Sequence, residues 1–174
     1  MDISPLQAGV FLILTLPSCL WSAWSDMKQM KIPNRATDLM VAAYVIAGAA
    51  LVIWGGDPDW GWADYFWRYV HFGVVLVVGL VLNALRAMGA GDVKFLAAAA
   101  PFVALGDLGV VVMIYLAALL VTFTLHRIAR ATPVADLAPD WESWTPGKRF
   151  PMGLAFGVTL PVYFLLALLG LPRV

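Results

Sequence analysis

The chain has 174 residues, 62% of them hydrophobic and 13% charged, with a mean hydropathy of +0.85, far from the roughly 45–50% apolar and 25% charged residues of soluble domains. An ordinary soluble globular domain is excluded. Eleven Lys and Arg balance eleven Asp and Glu, so there is no basic excess to hold a phosphate backbone, and nucleic acid is not an expected partner. Cys19 is the only cysteine, which excludes an internal disulfide framework and a cysteine-rich zinc module.

Apolar runs occur at residues 6–24, 39–54, 66–85, 93–105, 109–125 and 154–169, separated by stretches that hold nearly every charge. Each reads as a membrane-embedded helix, and the fold class expected is an all-α, polytopic helical bundle in a lipid bilayer. At about 20 residues a crossing, six helices take about 120 residues and leave no room for a separate soluble unit, so residues 1–174 are read as one integral membrane domain. The fourth run is shorter than a normal span and is expected to cross a thinned region, to tilt little, or to start inside the loop before it. The first run is expected to stay attached: Met1-Asp2-Ile3-Ser4 carries an acid and no Lys or Arg, whereas secretory signals begin positively charged.

Alternate loops divide the basic residues unevenly. Lys28, Lys31, Arg35, Arg86, Lys94, Arg127, Arg130, Lys148 and Arg149 fall on one side, nine of the eleven, and only Arg68 and Arg173 on the other. The side rich in Lys and Arg is the cytosolic one. Both termini are therefore expected to face away from the cytosol. Trp54, Trp60, Trp62, Trp67 and Tyr69 bracket the acid-rich 2–3 loop and read as an aromatic belt. The last inner loop, residues 131–147 with Pro133, Pro139 and Pro146, reads as irregular.

Two acids sit at borders of apolar runs: Asp26, just after the first, and Asp92, between Gly91 and Val93. A carboxylate near hydrocarbon is costly and calls for a reason. The chain crosses the bilayer twice between them, so both lie on the cytosolic side. Two carboxyls within reach in a low-dielectric site cannot both ionise cheaply, and the pair shares a proton. Such a pair supplies a general base for water and a general acid for a carbonyl oxygen, and hydrolyses an amide without a metal or a covalent intermediate. The plainer reading makes Asp92 the N-cap of a helix starting at Val93 and Asp26 a solvated interfacial acid.

Gly89-Ala90-Gly91-Asp92 puts two glycines before the second acid, a backbone free to adopt positive φ and open to close approach by another chain. Three further strings accompany this GxGD motif: Asp26 followed by Ile32-Pro33-Asn34, Gly91-Asp92-Val93-Lys94-Phe95, and Phe150-Pro151-Met152-Gly153-Leu154-Ala155. In order and spacing they resemble the type IV prepilin peptidase family, the GxGD aspartic proteases of bacterial membranes. The resemblance implies that Asp26 and Asp92 are the catalytic pair, with Gly89, Gly91, Pro33 and Asn34 binding substrate or shaping the site, and that no cofactor or metal takes part. Pro33 and Asn34 suit a turn into the second helix. Pro151 suits a first helical turn, and Gly153 and Gly157, four apart, suit close helix packing. The implied substrate is a pilin-like precursor with a short basic leader, cut at the cytosolic face of the inner membrane just before its hydrophobic helix. Asp136, Asp140 and Glu142 are expected to attract that leader. The pilus assembly machinery is a further partner the resemblance points to.

Larger members of that family carry a cytosolic insertion with paired Cys-x-x-Cys motifs, which a chain with one cysteine cannot supply. The chain thus resembles the short branch associated with tight-adherence (Flp-type) pili, and N-methylation is not expected of it. A presenilin-type protease also uses GxGD, but its Pro-Ala-Leu string is missing. A small proton-coupled transporter is the rival from another class. His71 and His126 have no partners at ligand spacing and read as interfacial or packed; Lys94 is left without a role. The topology predicts that a single cysteine replacing Asp59 is labelled by a membrane-impermeant thiol reagent from outside the cell and one replacing Arg35 is not. Labelling at Arg35 overturns it.

Overall fold

Ser4 opens the first helix by accepting the Gln7 N–H at 3.2 Å, and Pro5 fills the first turn, where its missing N–H costs nothing. The computed structural model describes residues 1–55, 57–58, 60–145 and 150–170. Asp59, Pro146, Lys148, Arg149 and Arg173, used above for loop charge and character, lie outside them. Among the described residues there are six α-helices and no strand: α1 Pro5–Gln29, α2 Asn34–Trp54, α3 Trp62–Ala84, α4 Ala90–Ala99, α5 Leu108–Arg130 and α6 Met152–Leu168. Four stretches, those of α1, α2 and α3 and the one ending in α5, are long and apolar enough to cross a membrane, and α6 is a shorter apolar helix. The chain is a membrane helical bundle.

The fourth helix starts inside the preceding loop, one of the outcomes foreseen for it. Ten residues give about 15 Å, well short of the ~30 Å hydrocarbon core. The chain continues as a 3-10 turn, Ala100–Phe102, and a second, Leu105–Asp107, leads into α5. Broken helix at membrane depth is tolerated only inside protein, and α4 is accordingly interior: Val93, Phe95, Ala97, Ala98 and Phe102 are buried between α2, α3 and α6. α6 packs along α1 on one side and α5 on the other.

Polar groups lock the end of the bundle opposite Asp26 and Asp92. Asp107, fully buried, accepts the Tyr163 hydroxyl at 2.9 Å and the Asp2 backbone N–H at 2.7 Å. The buried Arg68 donates to the Pro101 carbonyl at 3.2 Å and lies over the Trp60 ring at 5.3 Å. Asp57 accepts from the Ser4 hydroxyl and from the Gln7 amide, the latter at 2.7 Å. Phe11 packs edge-on to Phe102 at 5.0 Å, in a core that includes Tyr44 and Phe164.

Two sequence expectations change here. Trp54, Trp62 and Trp67 are exposed, as belt residues are, but Trp60 is buried and donates its indole N–H to the Gly48 carbonyl at 2.9 Å. The loop after α5, the inner loop of the expected topology, is partly ordered: two 3-10 turns, Pro133–Leu137 and Glu142–Trp144, are pinned by Trp141 against Trp24 at 5.0 Å and by Trp144 stacked on His126 at 5.0 Å. His126 is thus a packed histidine.

In a bilayer no hydrophobic force drives helix against helix, so small residues that permit close approach matter more than in water. A Cβ at Gly157 would sit 2.7 Å from the Cys19 carbonyl oxygen, whereas one at Gly73 meets nothing within 4 Å. Gly157→Ala is expected to destabilise the purified protein by about 1–3 kcal/mol through overpacking, and Gly73→Ala to be neutral or to stabilise by up to about 1 kcal/mol. Thermal unfolding of both variants in one detergent measures the contrast.

Candidate active site

Asp26 lies inside α1, not beyond it, because the polar tail of the helix is capped. Met30 takes the left-handed conformation at φ 53° and its N–H bonds the Asp26 carbonyl at 2.9 Å, while the Ser25 hydroxyl donates to the Lys31 carbonyl at 2.8 Å. This geometry turns the Asp26 side chain inward, where it is 6% exposed. Its Oδ2 accepts the Gly153 backbone N–H at 2.7 Å. Gly153 is in the first turn of α6, whose leading N–H groups have no partner within the helix. A carboxylate there satisfies one of them and faces the positive end of the helix dipole. A Cβ on residue 153 would lie 2.8 Å from the Asp26 Cβ, so only glycine admits the contact.

The second acid has a parallel setting. Gly89 occupies the N-cap position of α4 and Asp92 its third helical residue, with the carboxyl reaching back to the Gly89 N–H. Asp92 is therefore not itself the N-cap. Nor do the glycines use positive φ: Gly89 has φ −70° and Gly91 is helical. The reversal is made upstream, where Arg86 is left-handed at φ 59° and Asn83 holds the Met88 carbonyl at 2.8 Å. The glycines instead supply the missing Cβ. One at Gly89 would fall 2.8 Å from Asp92 Oδ2, and one at Gly91 would touch Ile32 at 3.4 Å.

Ile32, Pro33 and Asn34 join the two halves. Ile32 is buried against Gly91, Pro33 sits at the N-cap of α2, and Asn34 Oδ1 accepts from Lys94 Nζ at 3.1 Å. All six residues singled out in the sequence thus gather at one end of the bundle. α1 and α4 do not pack extensively on each other; the α1–α2 turn joins them, through Ile32 against Gly91. Lys94 now has a partner, and it bridges the starts of α2 and α4. Asp136, Asp140 and Glu142 are exposed on the inner loop, with Asp140 4.0 Å from Lys28. Among the described residues no three His, Cys, Asp or Glu side chains cluster as metal ligands do.

The sequence pattern did not disclose Gly153 as a hydrogen-bond donor. Its spacing to Gly157 signals close packing, but its partner is 127 positions away. Tyr115, close enough to Asp92 to feel its charge, carries no motif at all.

A protein-family model, the type IV leader peptidase family, matches residues 13–126. The chain belongs to this family. Both acids lie within the matched residues, whereas Gly153 lies beyond them. Neither the curated proteins nor the solved structures compared with the chain contain a match. As a member of a leader-peptidase family the chain has a peptidase's chemistry to perform; at the acid end Asp26 is buried and Asp92 half-buried. The Gly153 contact is a charge-assisted hydrogen bond of the class worth about 1.5–3 kcal/mol. Gly153→Ala is expected to displace Asp26 and to lower peptide-bond hydrolysis ten-fold or more at unchanged protein level, measured as initial rate per mole of membrane-inserted enzyme. Undiminished hydrolysis would mean that this contact does not position Asp26 for the reaction.

Proposed function

We propose that this leader peptidase is an aspartic endopeptidase that cuts pilin-like precursors at the cytosolic face of the inner membrane, with Asp26 and Asp92 activating water. The observation that carries this is that Asp26 and Asp92 stand at the same end of the bundle, Asp26 on the N-terminal Gly153 N–H of α6 at 2.7 Å and Asp92 in the first turn of α4, with Ile32 of the α1–α2 turn against Gly91. Two converging helix termini hold one negative charge well, while a second charge in the same low-dielectric site is costly. A singly protonated pair is the state this environment favours.

From that state the steps follow. The ionised carboxylate takes a proton from water as its oxygen attacks the scissile carbonyl carbon, and the protonated carboxyl gives its proton to the carbonyl oxygen. The gem-diol intermediate then collapses: one hydroxyl returns its proton to the carboxylate that had donated, the C–N bond breaks, and the leaving amine takes the proton held by the other carboxyl, so the pair ends singly protonated. The cytosolic orientation is supported by Lys28, Lys31, Arg35, Arg86, Lys94, Arg127 and Arg130, all at the acid end of the helices. The single cysteine supports the short, Flp-type branch and proteolysis without methyl transfer.

Co-expression with a Flp-type prepilin tests this reading through the mobility and N-terminus of the pilin. Wild type is expected to cleave, and Asp26→Asn or Asp92→Asn to lower the rate by about 10²–10⁴-fold at unchanged enzyme level. Cleavage by both variants returns the acids to helix capping. Methylated mature pilin, made by the purified protein with S-adenosylmethionine, overturns the prediction of proteolysis alone.

A further inference from the structure

The two helices least covered by the rest of the bundle are α3 and the stretch ending in α5, with 17% and 11% of their apolar windows buried. They do not pack extensively on each other. Between them runs a trough of about 520 Å³, walled by residues such as Val74 and Val112 and floored by Leu96 of α4 and Leu160 of α6. A smaller cavity of about 170 Å³ shares Val74, Met88 and Leu96 with it and extends it along α3 to Leu82. From Trp67 to Leu82 the α3 wall is about 22 Å long at 1.5 Å per residue, most of the thickness of a hydrocarbon core.

The two ends of the trough differ. Trp67 and Leu105 line the end away from the acids, and Met88, which precedes the GxGD string, lines the other. Phe95, one helical turn after Asp92, is in the floor, and Tyr115, stacked on Phe156 at 5.3 Å, is in the wall. The trough thus starts at Met88 and Phe95, on either side of Asp92 in the chain, and runs along α3 away from the acid end. Its lining is almost wholly apolar; of its polar side chains, His71 has a buried Nε2 without a hydrogen-bond partner.

A lipid chain, a second copy of the protein or a substrate helix could cover such a surface. The beginning of the trough at Met88 and Val93, the residues flanking the GxGD string, decides among them. Under the leader-peptidase reading, on which this inference rests, the scissile bond immediately precedes an apolar helix that stays in the membrane. Once the bond reaches the acids, that helix must leave the site in the direction in which the trough runs. A helix about 10 Å across and 22 Å long occupies on the order of 1,700 Å³, several times the trough, so one face enters and the other remains against lipid. We propose that the trough between α3 and α5 seats one face of the precursor's apolar helix, immediately beyond the bond presented to Asp26 and Asp92.

The test compares two substrates in lipid vesicles: the full precursor, and a soluble peptide with its leader and cleavage junction that ends before the helix. Val74→Trp and Val112→Trp fill the trough from either wall. Each is expected to lower the ratio of kcat/KM for precursor over peptide ten-fold or more, while Ile46→Trp, on the exposed face of α2, leaves the ratio unchanged. An unchanged ratio in both trough variants overturns the proposal. A second measurement does not depend on turnover. Single cysteines at Val74 and Val112, in Asp92→Asn enzyme whose own Cys19 is fully buried, are expected to cross-link to precursor-helix cysteines recurring every three or four residues. Cross-links that are absent, or equally strong from a cysteine at Ile46, overturn it as well. Wild-type enzyme inactive on both substrates sinks the leader-peptidase reading itself, whereas activity without these cross-links sinks the trough alone.

Discussion

The contact between the first turn of α6 and the last turns of α1 organises the molecule. Gly153 and Gly157 remove the two Cβ atoms that would hold these helices apart, one facing Asp26 and the other the Cys19 carbonyl. The approach brings a helix N-terminal N–H onto a buried carboxylate at 2.7 Å, and each solves the other's problem. The α6 terminus gains an acceptor it lacks within its own helix, and the desolvated Asp26 gains a donor. α6 is also the post against which the remaining elements lean. Phe156, one turn on from Gly153, stacks on Phe95 of α4 at 6.3 Å and on Tyr115 of α5 at 5.3 Å. The position of α6 therefore governs Asp26 by a hydrogen bond and the helix of Asp92 by packing.

The far end of the bundle matters to the acids for a related reason. α4 is too short to be held by the bilayer as a spanning helix is, and its register depends on where its C-terminal side is tied. Arg68 ties the Pro101 carbonyl, and Tyr163 and Asp2 tie Asp107 at the start of α5. These bonds sit where lipid or helix would otherwise leave the broken backbone unsatisfied. Polar groups buried at one end thus fix the depth of a carboxylate at the other.

The parts legible in the sequence are those set by local pattern. Apolar runs gave six helices in the right order, and the GxGD and Ile-Pro-Asn strings gave residues that gather at one end. Helix ends were misread where polar residues continue a helix: Ser25, Asp26 and Lys28 look like a loop but are carried to Gln29 by the left-handed cap at Met30. The fates of Trp60, Arg68 and Asp107 were illegible because burial of a polar side chain is decided by its partner. Asp107 is 105 positions from Asp2 and 56 from Tyr163, and no local period records such pairs. The glycines illustrate a subtler limit. Their presence signalled special backbone, yet Arg86 makes the reversal, and the glycines serve by what they lack.

The surroundings of the acids match a substrate made of two unlike parts. On the α1–α5 side lies the inner loop with its exposed Asp136, Asp140 and Glu142, held against Trp24 and His126 by ring contacts. On the α3–α5 side lies an apolar trough that begins at Met88, next to the GxGD string. On the proposed reading a basic leader is drawn to the first by charge, which acts over roughly a Debye length of 8–10 Å. An apolar helix gains nothing from leaving lipid for the second except shape, since both are apolar, so its selection rests on packing. On the proposed reading, charge then speeds the encounter of leader and enzyme, and packing fixes the register of the helix. On the same reading the bond between leader and helix falls at the junction of the two surfaces, at the end of the bundle that holds Asp26 and Asp92.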